Sequence, residues 1–82
     1  MIIVDIYAPS VDQVFDFILD ENAEVSDVMA DVVEMIAKKT GSTSENGASQ
    51  FVMYKSDKEQ PLNANASLFE NDIKDGDRLI LV

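Results

Sequence analysis

Asp72, Asp75 and Asp77 are the one carboxylate cluster in the chain with metal-like spacing. A calcium loop needs further oxygens, including a bidentate glutamate at a fixed distance downstream, and here the residues that follow are Arg78, Leu79, Ile80, Leu81 and Val82. Asp75-Gly76 has instead the composition of a tight turn, so no metal is expected. Asp16 and Asp20 are a second carboxylate pair, but their strand phase points them to solvent. A carboxyl there keeps a low pKa, which rules out general acid work at neutral pH. The chain has no His and no Cys, which removes imidazole and thiolate chemistry together with disulfides and iron-sulfur ligation. A serine nucleophile needs a base held beside it, and Ser42, Ser44 and Ser49 lie in a small, polar segment unable to fix such geometry. Gly41 to Gly47 is not a phosphate loop either, since it lacks the lysine of the G-x-x-x-x-G-K-S/T pattern and follows a helix. The chemistry-bearing residues thus predict a non-enzyme with no catalytic residues, no cofactor and no metal.

Six Lys plus Arg against sixteen Asp plus Glu give a net charge of −10. Such a balance repels phosphate backbones, and no basic stripe offsets it locally, so nucleic acid is excluded as a partner. Eighty-two residues make one domain, residues 1–82, with room for a single apolar core and little left over for a deep cleft. No apolar run approaches the roughly 20 residues of a membrane span, and MIIVDIY lacks the positive flank of a secretory signal. The expectation is a cytoplasmic protein without direct membrane insertion.

The elements follow from periodicity. Met1 to Ala8 is β-branched and aromatic, with Ile2, Val4 and Ile6 inward. Pro9 and Ser10 end it, and Val14 to Asp20 alternates again with Phe15, Phe17 and Leu19 on one face, making a hairpin. Ser26 is the expected N-cap of a helix reading VMADVVEMIAKK. Its apolar stripe is Val25, Val28, Met29, Val32, Met35 and Ile36, Glu34 and Lys38 form a favourable i,i+4 pair, and Gly41 is the left-handed C-terminal cap. Residues 41–49, GSTSENGAS, read as a mobile polar loop. Phe51 to Tyr54 is a third strand with Phe51 and Met53 inward, and Pro61-Leu62 a short edge strand. Leu68, Phe69 and Ile73 are apolar anchors, Asp75-Gly76-Asp77 turns the chain, and Arg78 to Val82 returns as a strand with Leu79 and Leu81 inward.

One helix cannot cover both faces of a sheet, so one face packs on the helix and the other meets solvent. With the first and last strands side by side, the fold class is α+β, a β-grasp with a mixed sheet of four to five strands. The spacing of Leu68, Ile73, Leu79, Leu81 and Val82, with Val25, Val28 and Val32 in the helix, resembles that of ubiquitin. In ubiquitin and in sulfur carriers of the same fold a flexible tail ending Gly-Gly is threaded into an activating enzyme, whereas here Leu81-Val82 is bulky and lies in a strand. The chain is therefore expected not to be conjugated. Among tail-less relatives, Gly76-Asp77-Arg78-Leu79 and the final apolar strand are similar to the small bacterial YukD/EsaB type of ubiquitin-like protein associated with type VII secretion. That resemblance implies an intracellular accessory or regulatory protein that binds a protein partner, a secretion-machinery subunit, without catalysis.

The expected protein-binding surface is the outward sheet face, comprising Ile3, Ile18, Val52, Tyr54, Ile80 and Val82; contiguous apolar patches of several hundred Å² commonly mark interaction sites. By the same resemblance, Val52, Ile80 and Val82 fall where ubiquitin carries its recognition patch. The competing reading is that surface aliphatics serve strand propensity alone. An acidic turn at Asp72 to Asp77 docking a basic partner, as in related PB1-type domains, lacks the basic counterpart in the first strand. The alternative function is a generic ubiquitin-like interaction module from a larger protein.

Overall fold

Alternation of apolar and polar residues builds a hairpin at the start of the chain, from β1 (Ile2–Ala8) and β2 (Gln13–Leu19). They pair antiparallel from Ile2 opposite Leu19 to Ala8 opposite Gln13. The computed structural model describes residues 1–41, 51–58 and 60–82. After the hairpin come the helix α1 (Val25–Thr40) and two short strands, β3 (Met53–Lys55) and β4 (Arg78–Leu81). The sheet order is β2-β1-β4-β3, with β1 parallel to β4 and β3 antiparallel to β4. The first and last strands do lie side by side in the middle, and the sheet is mixed.

One face of this sheet buries Ile2, Val4, Ile6, Phe15, Phe17, Met53, Leu79 and Leu81 in a single cluster with Val25, Val28, Met29, Val32, Val33 and Ile36 of α1. Leu68 and Ile73, from the segment before β4, complete it. Leu19, expected to be inward, is half-buried and packs at its edge. The helix stripe is turned slightly from its expected position: Met35 is exposed and Val33 is buried. Residues two apart lie about 160° apart around a helix, and the sheet covers the flank that carries Val33.

The start of α1 also differs. Ser26 lies inside the helix and Glu24 occupies the N-cap position without a side-chain cap bond. Its first amides are met by main chain instead, since Val25 N donates to Ala66 O (2.9 Å) and Ser26 N to Ala64 O (3.1 Å). Carbonyls supplied by a distant segment satisfy the donors that a hydroxyl would otherwise have taken. At the other end Gly41 is left-handed, with φ 71°, and Lys38 pairs with Glu34 at 3.2 Å. The polar loop of GSTSENGAS lies, beyond Gly41, outside the described residues.

The third strand runs from Met53 to Lys55, starting two residues later and ending one residue later than expected. Phe51 is nonetheless packed against the core, and pairing runs beyond the strands through Val52 N to Val82 O (2.7 Å) and Val82 N to Val52 O (2.9 Å). The expected edge strand at Pro61-Leu62 is reduced to one bridge, Tyr54 to Pro61. Phe69, expected as an anchor, is exposed. In the turn that begins at Ser67, Leu68 takes the core position, and Phe69 is held through its amide, which donates to Glu21 O at 2.8 Å.

The acidic turn before β4 is occupied with backbone. Asp75 Oδ1 accepts from Ile3 N (2.8 Å) and Asp77 Oδ2 from Lys74 N (2.7 Å). Gly76, at φ 88°, adopts a left-handed conformation that favours glycine, and its amide donates to Ile3 O at 2.7 Å. These bonds, with Asp5 N to Asp77 O at 3.1 Å, lead β4 into register against β1.

Candidate protein-binding face

The sheet face opposite α1 carries the odd residues of β1 and the even residues of β2 and β4, and strand register sorts them into rows. Ile3 stands opposite Ile18, and two residues on Asp5 stands opposite Asp16 with Arg78 on its other side. The next row crosses all four strands: Val14 opposite Tyr7, Tyr7 beside Ile80, and Ile80 opposite Tyr54. Val52 and Val82, bonded to each other through the main chain, lie two residues further along β3 and β4.

The six residues expected on this face therefore divide. Tyr54, Ile80, Val52 and Val82 belong to one apolar region, whereas Ile3 and Ile18 form a separate pair beyond the charged row. Ile3 and Ile18 are the more open, at 51% and 67% exposure against 41% for Val52 and 50% for Val82; Tyr54 and Ile80 are half-buried. Tyr7 and Val14 complete the four-strand row and were not in the expected set. Their signal was available: Tyr7 follows Ile3 and Asp5 at a period of two, and Val14 precedes Asp16 and Ile18 in the same phase. Tyr7 Oη is turned toward β2's end of the loop, donating to Asp12 Oδ1 at 3.3 Å.

The charged row sets the electrostatics. Arg78 Nη2 approaches Asp5 Oδ2 at 3.5 Å. The hydrogen bond shared with Asp16, and after it the Arg78 guanidinium, hold the Asp5 carboxyl below its ordinary range. That same hydrogen bond, followed by the repulsion of the Asp5 charge, pushes Asp16 up. The expectation of a low Asp16 pKa is thus corrected: exposure alone does not keep a carboxyl acidic when cross-strand pairing sets a second carboxylate directly opposite it. The two titrate as a unit.

A consequence follows for stability. A carboxyl whose folded pKa is raised binds its proton more readily in the folded state, so its favourable contribution is full below the ordinary value and is lost as pH rises through the raised one. Asp5 acts in the opposite sense, its contribution being lost as pH falls through the lowered value. Asp16→Asn removes the repulsion outright. The variant is expected to be slightly more stable than the parent at pH 7, and the gain should vanish as pH falls below the ordinary carboxylate range. Urea unfolding of both proteins between pH 7 and pH 3 checks this; a gain that does not depend on pH contradicts the assignment.

Among the described residues no group of three or more His, Cys, Asp or Glu is placed to hold a metal, and no helix is long and apolar enough to cross a membrane. A shallow hollow of about 250 Å³ lies between Lys55, Pro61, Leu62 and Asn71, below the roughly 300 to 1,000 Å³ usual for small-molecule sites.

Comparison with known proteins identifies relatives. The ubiquitin-like domain of EccD5 from Mycobacterium xenopi is 27% identical, with 99% of this chain and 91% of that domain covered and a TM-score of 0.77. A chain of the MycP5-free ESX-5 inner membrane complex also matches at 27% identity and TM-score 0.77 over 99% of this chain, which spans 20% of that chain's length. Ubiquitin from Caldiarchaeum subterraneum shares the fold at 18% identity, with 98% of this chain and 89% of that one covered and a TM-score of 0.74. No curated protein matches. Residues 1–81 match the family described as WXG100 protein secretion system (Wss), protein YukD, and the chain, a ubiquitin-like β-grasp domain, belongs to that family.

Proposed function

We propose that the chain is a non-catalytic, cytoplasmic accessory protein of a type VII-like secretion system, which binds a subunit of the machine through the outer sheet face and is not conjugated to targets. The observation that carries the binding reading is the uncovered apolar row Val14, Tyr7, Ile80 and Tyr54, continued by Val52 and Val82. Residues that α1 does not cover have no need to be apolar for the core, and such a patch fits a protein contact. Family membership supplies the system, and the likeness to an EccD5 domain supports a partner within it.

The test is capture of the solubilised secretion complex from the source cell by the tagged protein. Ile80→Asp and Val52→Asp should keep the far-UV spectrum of the parent and weaken capture at least about tenfold, because a desolvated charge at an apolar contact costs more than about 1.4 kcal/mol. Undiminished capture by both variants would refute the reading. Intact mass of the full-length gene product after incubation in lysate checks non-conjugation, with unchanged mass expected.

A second reading, a ubiquitin-like module within a larger protein, is favoured by the ESX-5 match, in which this chain corresponds to 20% of the other. Neighbouring genes separate the two. Genes for a membrane ATPase and small helical secreted proteins favour the first reading.

A further inference from the structure

We infer that the Asp5 and Asp16 carboxylates form a receptor for one cationic side chain of the partner, so that the face takes a protein segment in which an arginine or lysine is flanked on both sides by aliphatic or aromatic residues. The inference rests on the proposed binding face and specifies what it recognises. The rows along the hairpin run apolar, acidic, apolar: Ile3 with Ile18, Asp5 with Asp16, then Tyr7 with Val14. Successive rows lie two residues apart, about 6.8 Å, a step that an extended segment matches with alternate side chains.

The acidic row is one cation short. Arg78 serves Asp5, and among the described residues no ion pair reaches Asp16. Lys39 is the other cation near it, but its ammonium stands 5.7 and 5.8 Å over the rings of Phe15 and Phe17, residues that belong to the helix-covered side of β2. Two carboxylates directly opposite each other repel, and a partner's guanidinium or ammonium placed between them offsets that repulsion.

Other occupants fit less well. A second copy would set acidic row against acidic row, and the net charge of −10 opposes both self-association and an anionic membrane surface while speeding encounter with a basic protein.

The experiment is selection of a phage-displayed library of 12-residue peptides on the folded protein, followed by affinity measurement of the best free peptide. Selected sequences should carry Arg or Lys with apolar residues within four positions on both sides. The best peptide should bind Asp16→Asn about tenfold more weakly at low salt, the difference shrinking as salt is raised. Binding to the parent should also weaken as pH falls through the raised Asp16 value, the groups facing Asp16 being Asp5 on β1, Arg78 on β4 and Lys39 on α1. Selected peptides without basic enrichment, or equal affinity for Asp16→Asn, overturn the inference. If such peptides are lost by Ile80→Asp but kept by Asp16→Asn, the binding face stands and the cation receptor falls. If no peptide is selected, or Ile80→Asp binds as well as the parent, both fall. A dimer in sedimentation that Ile80→Asp dissociates also overturns it, in favour of a second copy.

Discussion

Leu79→Ala should remove about 2–5 kcal/mol of unfolding free energy, the range for truncating a buried leucine in a core that relaxes only partly. Leu79 is fully buried on β4, flanked by Ile6 on β1 and Lys55 on β3, so the cavity opens in the middle of the sheet where neighbours on both sides are held by ladders. A domain of this length has roughly 4–12 kcal/mol in total at usual stabilities per residue, so the loss is a large part of it. At this size each kcal/mol corresponds to about 4–8 °C in Tm. Ile80→Ala, one residue along the same strand and on the other face, is the control and should cost about 1 kcal/mol or less. Urea titration should shift the midpoint for Leu79→Ala at unchanged m-value. Equal shifts for the two variants would mean that the face assignment of β4 is wrong, and with it the row through Ile80.

Strand parity explains why so much of the architecture is legible in the amino-acid order. In β1 and β4 one charged residue each, Asp5 and Arg78, marks the outer face, so Ile2, Val4, Ile6, Leu79 and Leu81 are assigned to the core by counting in twos. The same counting reaches the outer face but not its organisation. Which of Ile3, Ile18, Val52, Tyr54, Ile80 and Val82 are neighbours depends on how β1 slides against β4, and that register is held by Asp75 and Gly76 bonding Ile3, contacts between residues more than seventy positions apart. The division by Asp5, Asp16 and Arg78, and the pKa displacement it produces, are properties of pairing and not of spacing.

The helix start is illegible for a related reason. Ser26 has the right chemistry for a cap, yet nothing local in the order of residues says that Ala64 and Ala66 will bring carbonyls to the same amides. Met35 and Val33 are equally apolar candidates for a stripe; the choice between them depends on the tilt of α1 over the sheet, which is a tertiary property. Phe69 shows the limit of hydrophobicity itself, since in a single turn only one of two adjacent large residues can face the core.

In the segment that caps α1, Asn71 makes three side-chain hydrogen bonds, and Asn71→Ala is expected to cost about 2–3 kcal/mol for their loss. Asn71 Nδ2 donates to Asn63 O (3.1 Å) and Ser67 O (2.8 Å), and its Oδ1 accepts from Asn63 N at 2.8 Å. Ser67 and Glu70 add a reciprocal pair at 3.0 Å, Ser67 N to Glu70 Oε1 and Glu70 N to Ser67 Oγ, the arrangement of a capping box. Between these anchors run Ala64 and Ala66, whose carbonyls receive Ser26 N and Val25 N. Releasing Asn63 therefore loosens the first turn of α1 as well as the loop. Amide exchange at Val25 and Ser26 should quicken in Asn71→Ala by more than its global destabilisation accounts for, while amides of β1 should track global stability. Asn71→Asp should be at least as damaging at neutral pH, because the carboxylate keeps the acceptor for Asn63 N but sets negative charge against the Asn63 and Ser67 carbonyls that the amide group served as donor. An Asn71→Asp protein as stable as the parent, or unchanged exchange at Val25 and Ser26 in Asn71→Ala, would show that the loop holds its place without this side chain and that the backbone cap of α1 has another support.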